Sequence, residues 1–332
     1  MEFCEANPES SFGNLKELEA FLAGRQKQVL IIPANEVSLD EKGIFRTGRF
    51  EGPLTKPGLE GLLRVLEIPW GYGTDICPPD LLATNVERLC RVKWKVLRIH
   101  TIDNRVTAVM PAERSPIEHD VLIDHIGSDR PIEEAIVSDG HLRITAINKK
   151  SGQVLPGDVF GYGWELQNDE NGWLPIEARS YITRLICSNG LLGFDNTATF
   201  TRSSTSKEDI HKSLRELSAV LDRMPQIGWL EDAAKWASEE QVGNQLEAVM
   251  GYLAKRLEGK ATRLALEGIT ANTSWYDILN LVTSTARAHE LSMRRRYEFE
   301  GGALLSWFSS RGRRRAPWSR RSCETCEYWP VE

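Results

Sequence analysis

The sequence lacks most of the features that announce a protein's chemistry. Its 332 residues contain no GxxxxGK run ending in Ser or Thr. The glycine pairs Gly71-Tyr72-Gly73 and Gly161-Tyr162-Gly163 do not extend into GxGxxG, so neither common phosphate-cradling loop is present. No stretch of about 18 apolar residues is available to cross a bilayer. Met1 to Gly13 is acidic and polar, where a secretory leader would be basic and then apolar. Cys4, Cys77, Cys90, Cys187, Cys323 and Cys326 are too scattered for a disulfide framework. Cys323-Glu324-Thr325-Cys326 has half the spacing of a zinc site, without a second pair of ligands nearby. These absences point to a cytoplasmic protein with no membrane segment, no cofactor and no legible catalytic triad.

What is present is an ordinary globular composition, 41% hydrophobic and 27% charged, with ten tryptophans. Tryptophan combines a large buried area with one polar handle, so it serves cores and binding faces equally. The formal charge of −6 hides an asymmetry: from Arg294 onward there are nine arginines and five acids, a net +4, which leaves −10 on residues 1–293. A basic appendage on an acidic body is a device for meeting a polyanion.

Periodicity places helices at about Gly13 to Leu22, from Thr55 through Leu59, Leu62, Leu63 and Leu66 to a stop at Pro69, and from Pro78-Pro79 to Cys90. Val29-Leu30-Ile31-Ile32 reads as a buried strand ended by Pro33. Trp94–Thr101 and Val106–Met110 flank Asp103-Asn104 as a hairpin. Ser115-Pro116 opens a short helix to Ile126. Strands are expected near 135–137, 141–147, 159–166 and 176–187, with turns at Asp139-Gly140, Ser151-Gly152 and Asn171-Gly172. After Phe200 the pattern turns helical, with segments capped at Ser206 and running over 239–257, 274–288 and 292–308. The expected class is α+β: a strand-rich mixed body over 1–223, a helical segment over 229–308, and a basic tail over 309–332 expected to be disordered.

Tyr181-Ile-Thr-Arg-Leu-Ile-Cys-Ser-Asn-Gly190 is a β-branched strand that runs into a small cysteine and a turn sequence. Cys187 reads as a buried thiol at a strand end, since no base near it in sequence would activate a nucleophile. Glu118-His119-Asp120 and Asp124-His125 gather hard-metal ligands on one short helix. Asp120 and Asp124, at i and i+4, are the candidate pair for a metal-dependent nuclease or hydrolase.

Pro156-Gly157-Asp158, then Asn168-Asp169-Glu170-Asn171-Gly172, then Arg184-Leu185-Ile186-Cys187-Ser188-Asn189-Gly190 together resemble the phage- and plasmid-encoded family known as domain of unknown function number nine-hundred-thirty-two. In that family an N-x-E-x-G turn precedes a strand ending in Arg, two hydrophobic residues, Cys, Ser or Thr, Asn and Gly. The matching positions here are Asn168, Glu170, Gly172, Arg184, Cys187, Asn189 and Gly190. Val106 to Ile126 is similar to a further family segment, with Arg114 or Ser115 where the family has Tyr. Trp275 to Asn280 with Thr283 and Ala286, and Glu300 to Leu305, resemble its late helices. The resemblance implies a mobile-element origin and, by association, nucleic-acid transactions.

Arg311, Arg313, Arg314, Arg315, Arg320 and Arg321 put six arginines into eleven residues without an acid, with Trp318 among them. Guanidinium neutralises phosphate and stacks on bases, and indole offers a stacking platform. Six phosphate contacts on a single strand give a log–log salt slope of about −4, and so a loss of about 300-fold in affinity between 50 and 200 mM salt. Arg202, Lys207, Lys212 and Arg215 form a second basic face, diluted by Glu208, Asp209 and Glu216. The expected function is non-enzymatic nucleic-acid binding, single-stranded DNA favoured. The alternatives are the metal-dependent hydrolase and a protein that binds a host factor through a Trp-rich surface.

Overall fold

The computed structural model describes residues 9–93, 95–138, 140–155, 158–184, 189–192, 200–202, 207–223, 229–257, 267–286 and 291–309. After strand β1 (Ser10–Phe12), helix α1 (Leu15–Ala23) begins where the Asn14 side chain accepts the Glu17 amide at 2.9 Å. Its Leu15, Leu18 and Leu22 form the buried stripe. Strand β2 (Lys27–Pro33) leads through β3 (Ser38–Leu39) to the β4–β5 hairpin (Ile44–Thr47 and Phe50–Pro53).

Helix α2 (Lys56–Leu66) starts at Thr55, whose hydroxyl oxygen accepts the Gly58 amide and donates to the Val106 carbonyl at 2.9 Å. That second bond ties the cap to the strand the helix covers. Gly58 and Gly61 face the same strand, and a Cβ on either would stand 2.4 or 2.3 Å from the carbonyl oxygens of Val106 and Val109. Their lack of a side chain is what lets helix and sheet approach so closely. A π-helical turn, Tyr72–Ile76, precedes α3 (Pro79–Val92).

Strands β6 (Val96–Ile102) and β7 (Arg105–Pro111) form the expected hairpin, with Asp103 and Asn104 both at positive φ, 51° and 61°. The sheet order is β2-β6-β7. β2 is therefore an end strand and not the buried one its apolar run suggests. Leu30 and Ile32 are buried on the α2 side, while Val29 and Ile31 are exposed. These elements share one apolar core, including Phe45, Leu62, Leu63, Val86, Leu97 and Ile99.

Helix α4 spans His119–Ile126, shorter than the expected start at Ser115. The next sheet takes the order β1-β8-β9-β10-β11-β12, with β13 pairing β11. Its later strands are β8 (Glu134–Ser138), β9 (His141–Leu155), β10 (Asp158–Asp169), β11 (Ile176–Arg184), β12 (Asn189–Leu192) and β13 (Phe200–Arg202). Ser151-Gly152, expected as a turn, lies within β9. Gly140 and Gly172, by contrast, occupy the left-handed turn positions anticipated for them. β11 is described as far as Arg184, and Cys187 lies outside the described residues. Asn189 and Gly190, expected in a turn, are strand residues paired with Arg184 and Thr183.

The helices that follow are α5 (Lys207–Arg223), α6 (Trp229–Glu239), α7 (Leu246–Arg256), α8 (Trp275–Ala286) and α9 (Leu291–Ser309). The helix expected over 239–257 starts later, as α7 at Leu246 after a 3-10 turn at Gly243–Gln245, while α6 ends at Glu239. The whole is α+β, with sheets and helices and a helical C-terminal part. The chain divides into two compact units, neither continuous: residues 1–145, 166–178 and 200–222 in one, and 146–165, 179–199 and 223–332 in the other. Residues 146–165 and 179–199 fall in the unit that holds the later helices. Among the described residues no helix is long and apolar enough to cross a membrane.

Candidate functional site

The Asn168–Gly172 run joins β10 to β11 and carries more buried polar side chains than any ordinary turn requires. The Asp169 carboxylate organises it. Oδ1 accepts the Asn171 amide at 2.9 Å, and Oδ2 accepts the amides of Trp173 and Leu174 at 3.0 and 2.9 Å. His141 Nδ1 lies 3.4 Å from the same carboxylate. Gly172 closes the turn at φ +73°, and a Cβ there would also meet Met110 Sδ at 2.8 Å. Glycine is thus required twice over, by backbone and by space.

Glu170 points inward. Its Oε1 accepts the Lys27 ammonium at 2.9 Å and the His119 amide at 2.6 Å. Burial works against an ionised carboxyl there, but the positive charge beside it and the His119 amide hold the Glu170 pKa below the usual range. Lys27 also stands 3.8 Å from Asp120. Asn168 Nδ2 donates to the Ile117 carbonyl at 2.7 Å and to His119 Nδ1 at 3.0 Å. An amide nitrogen only donates, so His119 Nδ1 accepts and its ring proton sits on Nε2, 3.8 Å from Glu170 Oε2. Burial pushes His119 below its ordinary pKa and His100 down to about 4, so both rings are neutral at pH 7. Asn168, Glu170 and Gly172 therefore form a latch that fastens the turn to β2 and α4.

The latch delivers the next residue, Trp173, to the surface. Two guanidiniums lie over its ring: Arg114 with Cζ 4.6 Å from the centroid, and Arg64 of α2 at 5.4 Å. Arg114 Nη1 donates to the Gly172 carbonyl at 2.7 Å, and Arg64 pairs with Glu60 one helical turn before it. The indole Nε1 is buried against Gly61, where a Cβ would approach it to 2.9 Å.

On α5, Leu214, Leu217 and Leu221 are buried while His211, Lys212 and Arg215 are exposed. His125 Nε2 donates to the Leu214 carbonyl at 2.6 Å, anchoring this helix to α4. Arg202 ends β13 and Lys207 begins α5, with their side chains outside the described set. Arg311, Arg313, Arg314, Arg315, Trp318, Arg320 and Arg321 lie outside the described residues, as does Cys187. Arg184 and Asn189 are brought together as strand partners. Asp120 and Asp124 are exposed, and the described residues hold no group of three or more His, Cys, Asp or Glu able to bind a metal. The hydrolase alternative gains no ligand set.

Sequence reasoning missed Lys27, His100, Arg64, Arg114 and Trp173. Trp173 stood next to the motif glycine, and Arg114 was noted only as one of two residues, with Ser115, set against a family Tyr. The others gave no local signal. No family model, curated protein or solved structure matches the chain. The likeness to the phage and plasmid family accordingly rests on the motif residues themselves.

Proposed function

We propose that this is a non-enzymatic nucleic-acid-binding protein of mobile-element type, acting on single-stranded DNA in replication, recombination or defence evasion. The observation that carries the reading is the segregation of charge: a net +4 from Arg294 onward against −10 before it, with six arginines between 311 and 321. An acidic body repels a polynucleotide, so a local cationic segment must supply the attraction. The exposed Lys212 and Arg215 on α5 add to it, since the leucine stripe behind them holds that face outward. Trp318 supplies a ring for base stacking among the arginines.

Filter binding of a labelled single-stranded oligonucleotide, with and without residues 309–332, tests the reading. Removal of the tail is expected to abolish most of the affinity and flatten the salt dependence. Equal binding by both forms would contradict it.

A further inference from the structure

We infer that Arg64 and Arg114, held over Trp173, form a phosphate-contacting site for single-stranded nucleic acid, separate from the arginine tail. The inference rests on the nucleic-acid reading above and adds a place among the described residues. Three residues far apart in sequence converge there: Arg64 from α2, Arg114 from the segment after β7, and Trp173 from the turn after β10. Each is fixed by a different constraint. The Trp173 amide is bound to Asp169 Oδ2, and its indole edge is clamped beside Gly61. Arg114 is bonded to the Gly172 carbonyl, and Arg64 to Glu60.

The charge is unbalanced. Two guanidiniums share one indole, and the carboxylate paired with them is Glu60, on Arg64; the described partners of the Arg114 guanidinium are a carbonyl and a ring. A guanidinium stacked on an aromatic face points its N–H edges sideways, and the N–H groups not used on Gly172 or Glu60 match the oxygens of a phosphate. Because the stack already fixes both side chains, binding loses little further rotamer freedom. The indole acts here as a support, since the guanidiniums lie over it, and bases would stack on the arginines or on neither.

The test uses the full chain and a fluorescein-labelled oligothymidylate, read by anisotropy at several salt concentrations. Arg114→Gln is expected to weaken binding roughly tenfold, as for loss of one charge-assisted hydrogen bond, and to reduce the log–log salt slope by about 0.7. Arg114→Lys restores the slope, because the charge returns, but not the full affinity, because the planar fork does not. Arg64→Gln, on an exposed helix face, moves both quantities in the same direction and carries the decision if Arg114→Gln fails to fold. Unchanged affinity and slope in the folded variants, while the unaltered chain binds, would overturn this site and leave the nucleic-acid reading intact. No binding by the unaltered chain at the lowest salt would overturn both.

Discussion

Two regions of the molecule use aromatic and charged residues in opposite ways. In the unit containing α6 to α9, Trp275 and Trp307 pack edge to face at 4.8 Å, Trp236 meets Trp307 at 5.6 Å, and Phe308 completes a buried cluster. Around the Asn168–Gly172 turn the buried material is charged, and the one tryptophan beside it sits half-exposed under two arginines. The first arrangement needs only shape. The second needs every partner in place, because a buried ion left without its counter-ion costs several kcal/mol, comparable to a large void.

The comparison can be broken most sharply by truncation. Trp275→Ala should cost about 4 kcal/mol as an uncollapsed cavity, whereas Trp173→Ala should cost only about 1–2 kcal/mol. Urea unfolding of the two variants measures both. Next in size is Glu170→Ala, expected to cost about 3 kcal/mol by leaving Lys27 and the His119 amide without their acceptor. Replacing Lys27 and Glu170 together by Met should cost less than the single change, which distinguishes a latch of mutual dependence from simple packing.

A pH effect of similar size belongs to the charged region. His100 titrates near 4 when folded and near its ordinary 6.5 when unfolded, with burial as the cause. Between those values the unfolded chain binds more protons, so stability rises with pH and levels off above about 6.5. Acidification across that window should remove about 3 kcal/mol through His100, with His119 acting in the same direction. Thermal melts from pH 7 to 4 should show the fall, and His100→Leu should remove its part of the slope. The smallest effect lies at the edge of the first sheet: Ile31→Thr should change stability by less than about 0.5 kcal/mol, while Ile32→Thr should cost clearly more.

Elements whose signals are local were legible in the sequence. The leucine stripes of α1 and α2, the helix start at Thr55, and the Asp103-Asn104 hairpin all stand where the residues place them, whereas the Asn14 cap of α1 was not read from the sequence. Val29 to Ile32 misled because an apolar run does not reveal which face a neighbour covers, and β2 has a neighbour on one side. Ser151-Gly152 misled because long strands tolerate glycine where turns prefer it. At the site, the importance of Asn168, Glu170 and Gly172 could be read from the motif, but not what they hold. Lys27 and Glu170 are 143 residues apart, and Arg64, Arg114 and Trp173 meet only after two sheets have formed. No window along the chain contains those pairs.

The central claim is that guanidinium groups on an acidic protein attract polynucleotide phosphate. Its most direct measurement is the affinity of the full chain for single-stranded DNA as salt rises from 50 to 200 mM. Engagement of the tail predicts a fall of about 300-fold, a log–log slope near −4. A slope near zero, or no detectable complex even at 50 mM, would contradict the account.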